Sequence, residues 1–283
     1  EVQVAQFASQ KMEIKIPKLA IIAGNGNIPF YLLEECERKG RDYCLIIIEG
    51  HGKELANKYK VDFTVSLSKM GKAIKFVKEL EIKDILMVGG IDRPSLKNII
   101  PDLWTAKFLA KMGSNISGDN SLLSNLTKSL EKEGFNILAP EDIIPSLLCP
   151  NGVLGKYKPN KDNKKDILDG FKIAKIVGLN DIGQSLIIEN GLVLAVEAAE
   201  GTDSMISRAA LLKKEEKGGV LIKIIKPQQD KRIDRPVIGI NTLKAIKDAG
   251  LDGVAIESKE ILIINFNEVI SYANNEGLFI EGI

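Results

Sequence analysis

From Lys18 onward, short apolar runs rich in β-branched residues alternate with longer stretches in which apolar positions recur every three or four residues. The first pattern fits strands buried on both faces, the second fits helices with one buried face, and their alternation predicts βαβ units in a parallel sheet. LAIIA at 19–23 is the first expected strand. GNGN then turns the chain, and Pro29 stands where a helix begins, with Phe30, Leu33 and Cys36 on one face and Gly40 at its end. YCLIII at 43–48, DFTVSL at 62–67 and DILMVGG at 84–90 read as further strands. A helix carrying Met70, Ile74, Val77 and Leu80 joins the last two. Helices near 101–113 and 120–133 and a strand NILAP at 136–140 complete a Rossmann-like layer.

NGVLGKYKPNKDNKKD at 151–166 has neither period and is rich in Lys, Asn, Gly and Pro, so it reads as an exposed connection. It divides the chain into a Rossmann-like N-terminal domain over 12–150 and a mixed α/β C-terminal domain over 151–283. The second part begins with a helix near 164–177. Two strands, SLIIE and LVLAVEA, follow, split by Asn190-Gly191, a hairpin signal. Then come a helix from Thr202, a strand GVLIKII at 219–225, a charged loop, a helix near 241–249, strands VAIE and ILIINF, and a final helix. The opening EVQVAQFASQK has no pattern and reads as an extension outside the fold.

Composition narrows the classes. The 283 residues, 45% of them hydrophobic, suffice for two packed cores. With 39 basic against 38 acidic residues the net charge is +1, which argues against a nucleic-acid partner. Cys36, Cys44 and Cys149 are scattered without metal spacing, as expected of reduced thiols in a cytosolic compartment. No apolar run reaches the roughly 20 residues a bilayer span needs. His51 is the single histidine, so a histidine-built zinc or two-metal site is excluded and any metal would be a hard cation held by oxygen, pointing to Mg²⁺.

Several segments carry candidate chemistry. Gly24, Asn25 and Gly26 in AGNGNIPF form a turn at a helix start that suits an anion, or serve only as a structural turn; Pro29 stands where a third fingerprint glycine would fall, and Glu49 lies near the place of a ribose-binding acid. VGGIDRPSL ends the fourth strand, so Asp92, Arg93 and Ser95 would project where α/β sheets bind ligands, unless this is an ordinary loop. AVEAAEGTDSMISR sets Glu197, Glu200 and Asp203 close together at the end of an apolar strand. There an unpaired charge is costly, so cations are required nearby; Thr202 is placed to cap the next helix. IKIIKPQQDKRIDRP offers them: Lys223, Lys226, Arg232 and Arg235 beside Asp230 and Asp234, a combination suited to phosphoryl chemistry, a surface charge run being the plainer alternative.

In order, IAGNGNIPF, VGGIDRPSL, SGDNSLL, DIGQS, GLVLAVEAAEGTDSMI and KIIKPQQDKRIDRPVIG resemble the LpxI-type UDP-2,3-diacylglucosamine pyrophosphatases of bacterial lipid A synthesis, over essentially Lys18 to Gly282. The resemblance implies two α/β domains with substrate between them. It also implies a Mg²⁺-dependent hydrolysis of UDP-2,3-diacylglucosamine to UMP and 2,3-diacylglucosamine 1-phosphate, with water attacking the sugar-side phosphorus. On that basis Glu197, Glu200, Asp203 and Asp119 are expected near the metal, and Lys226 and Arg232 on the pyrophosphate. Asp230 and Asp234 are expected to bind metal or orient water, with Gln184, Thr202, Lys223 and Gln229 contacting substrate. Asn120 stands where the family commonly has a second Asp after Gly118-Asp119. The acylated substrate further implies an apolar groove near the domain interface and a cytoplasmic enzyme peripheral to the inner membrane, with Lys156–Lys165 either contacting anionic lipid or simply solvated. A homodimer stays open. A nicotinamide-dependent oxidoreductase and a nucleotide-sugar sensor without turnover are the alternative readings.

Overall fold

The computed structural model describes residues 16–91, 100–112 and 119–283. The first half runs β1 (Leu19–Ala23), α1 (Ile28–Lys39), β2 (Tyr43–Ile48), α2 (Lys53–Lys58), β3 (Phe63–Val65), α3 (Met70–Glu79), β4 (Asp84–Val88), α4 (Leu103–Met112), α5 (Asp119–Lys132), β5 (Asn136–Leu138) and α6 (Pro140–Ile143). Its five strands are all parallel in the order β3-β2-β1-β4-β5, the expected Rossmann-like layer. LAIIA and YCLIII lack alternation because helices cover both faces: α1, α2 and α6 pack on one, α3 and α5 on the other. Leu80, expected on the helix, falls just past the end of α3 and is 39% exposed. Pro140 does not extend β5 but begins the turn of α6.

The second half runs β6 (Gly152–Leu154), α7 (Lys161–Leu179), β7 (Ser185–Glu189), β8 (Leu192–Val196), α8 (Thr202–Ala210), β9 (Val220–Lys223), β10 (Val237–Ile238), α9 (Ile240–Asp248), β11 (Gly253–Ile256), β12 (Leu262–Ile263), α10 (Phe266–Glu276) and β13 (Phe279–Gly282). A mixed six-stranded sheet has the order β6-β13-β11-β9-β7-β8; β10 and β12 form a small parallel pair. Among the described elements α7 covers one face, through Ile167 and Ala174 against Leu186, Ile188 and Ile222, while α8, α9 and α10 cover the other. Asn190 (φ 51°) and Gly191 (φ 80°) make the expected hairpin turn.

The segment 151–166 is largely exposed, as its composition implied, but it is not an irregular connection. Residues 152–154 pair antiparallel with β13, and α7 begins at Lys161, ahead of the expected 164. Asn160 and Asn163 cap each other's backbone N–H groups. The buried Asn163 also donates to Asp252, and Asp166 accepts from the backbone N–H groups of Asn190 and Gly191 at 2.8 and 2.7 Å. These polar residues are buried because distant backbone and side chains satisfy them.

Candidate functional site

In open α/β sheets ligands gather beyond the carboxyl ends of the parallel strands. At that end of β9, register sets Ser185 opposite Lys223, and the Glu197 N–H donates to the Ser185 carbonyl at 2.9 Å. Glu197, Ser185 and Lys223 therefore form one row across β8, β7 and β9, on the face covered by α8. Gly183 is required behind them, since a Cβ there would strike the Glu197 carbonyl.

Lys223 is a strand residue, not part of the charged loop, and is 5% exposed. Its Nζ donates to Thr202 Oγ1 at 2.8 Å, and the Thr202 hydroxyl donates onward to Glu197 Oε1 at 2.9 Å. Thr202 is thus a link rather than the expected cap; Gly201, at φ 80°, holds the cap position. Burial pushes the Lys223 pKa down, and the charges of Glu197 and Asp203 partly offset it. The side-chain oxygens Glu197 Oε2, Ser185 Oγ and Gln184 Oε1 are buried at this end without a hydrogen-bond partner. Three such acceptors at one strand end are costly unless a ligand supplies donors or a cation. Ser185 carries no signal of its own in the sequence; only the register reveals its place.

The three carboxylates of the strap do not all turn to the charged loop. Glu197 faces Thr202, whereas the exposed Glu200 binds Arg208 of α8 at 2.5 Å, which holds its pKa low. Asp203 is exposed in the first turn of α8.

The 226–236 loop forms a second cluster, and its cations are paired. Lys226 Nζ meets Asp181 at 2.7 Å. The Lys226 N–H donates to Gln229 Oε1, and the buried Gln229 Nε2 donates to Asp234 Oδ2 at 2.6 Å, so Gln229 braces the loop from inside. Arg232 donates twice to Asp230, at 3.0 and 2.9 Å, and once to Glu131 of α5 at 2.5 Å. Burial would raise the Asp230 pKa, but the bonds from Arg232 outweigh it and hold the carboxyl below its ordinary value. Arg235 joins Glu141 of α6 to Glu260. Both arginines thereby tie the loop to the first half of the chain. Asp181, Glu131 and Glu141 carry no such signal in the sequence, because their partners lie far away along the chain.

Gly24, Asn25 and Gly26 form a third feature. Gly24 packs so tightly on the Gly89-Gly90 turn that a Cβ would strike the Gly90 carbonyl, while Asn25 pairs with Gly90 and its Oδ1 accepts the Gly52 N–H at 2.9 Å. Asn25 and Gly26 are exposed ahead of α1, whose N-terminus has no side-chain cap, consistent with an anion site or with a plain turn. Asp92, Arg93 and Ser95 lie outside the described residues, as does the side chain of Asp119 at the start of α5.

A groove of about 320 Å³ lies between the halves, with Tyr31, Arg38, Leu147, Ile263 and Phe266 on its walls; Glu34 and Glu35 also line it, so it is not purely apolar. A larger cleft of about 640 Å³ beside Lys213, Gly250 and Gly277 sits at the opposite, amino ends of β9 and β11. No described helix is long and apolar enough to cross a membrane.

No three His, Cys, Asp or Glu side chains among the described residues form a ready cage for a metal. Mg²⁺ commonly takes one or two carboxylates and completes its shell with water and substrate phosphates, and the buried, unpartnered Glu197 Oε2 suits that part.

Two family models divide the chain: the LpxI N-terminal domain matches residues 18–147 and the LpxI C-terminal domain matches residues 150–281. The UDP-2,3-diacylglucosamine pyrophosphatase LpxI of Caulobacter vibrioides is 33% identical over 273 residues, covering 94% of this chain and 97% of that protein. The chain belongs to the LpxI family. As an LpxI-family member it shares only a slight structural likeness with the UDP-glucose 4-epimerase of Thermus thermophilus in complex with NAD. That match has a TM-score of 0.28 and 15% identity over 51% of this chain and 41% of the other, which carries no argument. LpxI membership does not favour the nicotinamide-dependent or sensor readings.

Proposed function

We propose that this chain hydrolyses UDP-2,3-diacylglucosamine to UMP and 2,3-diacylglucosamine 1-phosphate, a step of lipid A synthesis. The observation that carries the reading is that, in an LpxI-family chain, the AEGTD block is bound through Thr202 to Lys223 at the carboxyl end of β9, three residues ahead of the KPQQDKRID loop. Its domains are 12–150 and 151–283, close to the family-model matches at 18–147 and 150–281, with the substrate between them.

Each group has a part that its surroundings support. Asp230, kept ionised by Arg232, or Asp234, oriented by Gln229, positions the attacking water and takes its proton. Lys226 and Arg232 exchange carboxylate partners for pyrophosphate oxygens as charge develops there. Lys223 works from beneath, through Thr202, to fix Glu197. Glu197 and Asp203 would hold Mg²⁺, which would supply neutralisation of phosphate charge; Glu200 would join them only by leaving Arg208. The Gly24–Gly26 turn takes a phosphate at the start of α1. The site acts in the cytoplasm at the inner-membrane surface, where the acylated substrate resides.

The test is UMP release from UDP-2,3-diacylglucosamine with and without EDTA. Release that EDTA abolishes and Mg²⁺ restores is expected. Release untouched by EDTA removes the metal from the proposal, and no release by folded protein in Mg²⁺ removes the hydrolase.

A further inference from the structure

The outward side of α7 has no described element packed on it, and its residues are unusual for a merely solvated helix. Lys161, Lys164, Lys165, Leu168, Lys172, Ile176 and Leu179 recur at intervals of one, three or four residues and share one stripe. Leu168, Ile176 and Leu179 are 62%, 61% and 63% exposed, and Ile182 just beyond the helix is 54% exposed. Residues 156–175 hold seven lysines against three aspartates. Of those aspartates, Asp166 points inward to the hairpin turn, and Asp169 pairs with Lys172 at 3.1 Å. Among the other charges near this side, Lys175 is taken by Glu257 at 2.6 Å.

The stripe is graded. Its amino end is lysine-rich, while its carboxyl end is apolar and abuts the 226–236 loop. There the Gly178 carbonyl accepts from Gln228 Nε2 at 2.9 Å, Gly178 lies against Ile224 and Pro227, and Asp181 holds Lys226. Over 19 residues the helix spans about 28 Å. A helix with exposed leucine and isoleucine flanked by lysines is built to lie in an anionic bilayer interface, apolar side chains inserted and lysine stems reaching to the headgroups.

We propose that the outer face of α7 docks on an anionic phospholipid surface and so presents the mouth of the 226–236 loop to a substrate held in the membrane by its acyl chains. The inference deepens the hydrolase reading and rests on it for its purpose. The occupant is fixed by complementarity: lysines meet anionic headgroups and the leucine-isoleucine end meets acyl chains. A second copy of the chain would bring lysines against lysines.

The test is co-sedimentation of the full chain with phosphatidylcholine vesicles, with and without phosphatidylglycerol, at low and high salt. Binding that requires phosphatidylglycerol and weakens with salt is expected. The triple variant Lys164→Gln/Lys165→Gln/Lys172→Gln should bind roughly a hundredfold more weakly. A second variant, Leu168→Ser/Ile176→Ser/Leu179→Ser, should lose the binding that survives high salt. Both change exposed positions and should melt like the parent. UMP release from vesicle-borne substrate should fall in both, while release from detergent-dispersed substrate stays unchanged. Absence of parent binding to anionic vesicles, variants that bind like the parent, or a dimer in sedimentation that the serine variant dissolves without any vesicle binding would each overturn the proposal. Vesicle binding is read without substrate: binding without UMP release sinks the hydrolase and spares the docking face, and release without binding does the reverse.

Discussion

Arg232 and Arg235 stand three residues apart in one loop, and each ties that loop to a glutamate in the first half of the chain, yet burial predicts opposite consequences of removing them. The Arg235 side chain is 8% exposed and binds Glu141 and Glu260; Glu141, itself 13% exposed, meets Arg235 through one oxygen, and its other oxygen is buried without a hydrogen-bond partner. Arg235→Met leaves the Glu141 charge buried and uncompensated, a loss of about 3–5 kcal/mol. In thermal unfolding followed by circular dichroism this lowers the midpoint on the order of 10 °C. Glu260 keeps Lys231 at 2.6 Å, so adding Glu141→Met should recover most of the loss, since a buried pair replaced as a whole by apolar groups is often neutral. The Arg232 and Glu131 side chains are 35% and 42% exposed, so water screens their pair; Asp230, 13% exposed, loses the guanidinium but keeps the backbone N–H of residue 232. Arg232→Met should therefore cost only about 1 kcal/mol of stability while lowering UMP release by roughly a hundredfold or more. Equal melting points for the two variants, or no recovery in the double variant, would refute the reasoning that burial decides which arginine holds the halves together.

Thr202→Val breaks both bonds of the Lys223–Thr202–Glu197 link and should cost about 1–3 kcal/mol in urea unfolding, with Thr202→Ser restoring it; identical midpoints for valine and serine would remove the link from the account. Gly24→Ala forces a Cβ into the Gly90 carbonyl and should destabilise by about 1–3 kcal/mol, seen as a lowered melting point; an unchanged one would mean the two turns do not touch. Asp230 has a folded pKa below its ordinary 3.8, so its contribution is present above that pH and is lost as pH falls through the folded value. Melting curves of the parent and Asp230→Asn should therefore converge on acidification, and parallel curves from pH 5 downward would contradict the shift.

The strands of the first half were legible because each is a short apolar run that pairs with near neighbours in a parallel layer. β13 was not, since FIEG is four residues and becomes a strand only by pairing with β11 and β6, one of them more than a hundred residues earlier. β6 was hidden likewise. In 151–166 the lysines signalled solvent correctly for the outer side of α7, but Asn163 and Asp166 look equally polar in sequence. Their burial depends on Asp252 and on the hairpin backbone, partners no local pattern reveals.

The site divides along the same line. Carboxylates at the end of an apolar strand did demand cations, and the demand was correct, but sequence order suggested that Glu197, Glu200 and Asp203 would share one set in the loop. Strand alternation instead carries the Lys223 side chain under the sheet end to the Glu197 link, and the turn ahead of α8 gives Glu200 to Arg208. Asp230 holds Arg232 from inside the motif, but the loop's cations also go to Asp181, Glu131, Glu141 and Glu260, so much of the charge balance that so basic a loop needs is supplied from outside it. That arrangement has a physical reason: a loop with four cations and no counter-charges would repel itself, and counter-charges within the loop alone would hold it shut. In the proposed hydrolysis, partners on separate elements, Asp181 for Lys226 and Glu131 for Arg232, let each cation be released in turn, at the modest cost of a partly exposed ion pair, when pyrophosphate offers stronger acceptors.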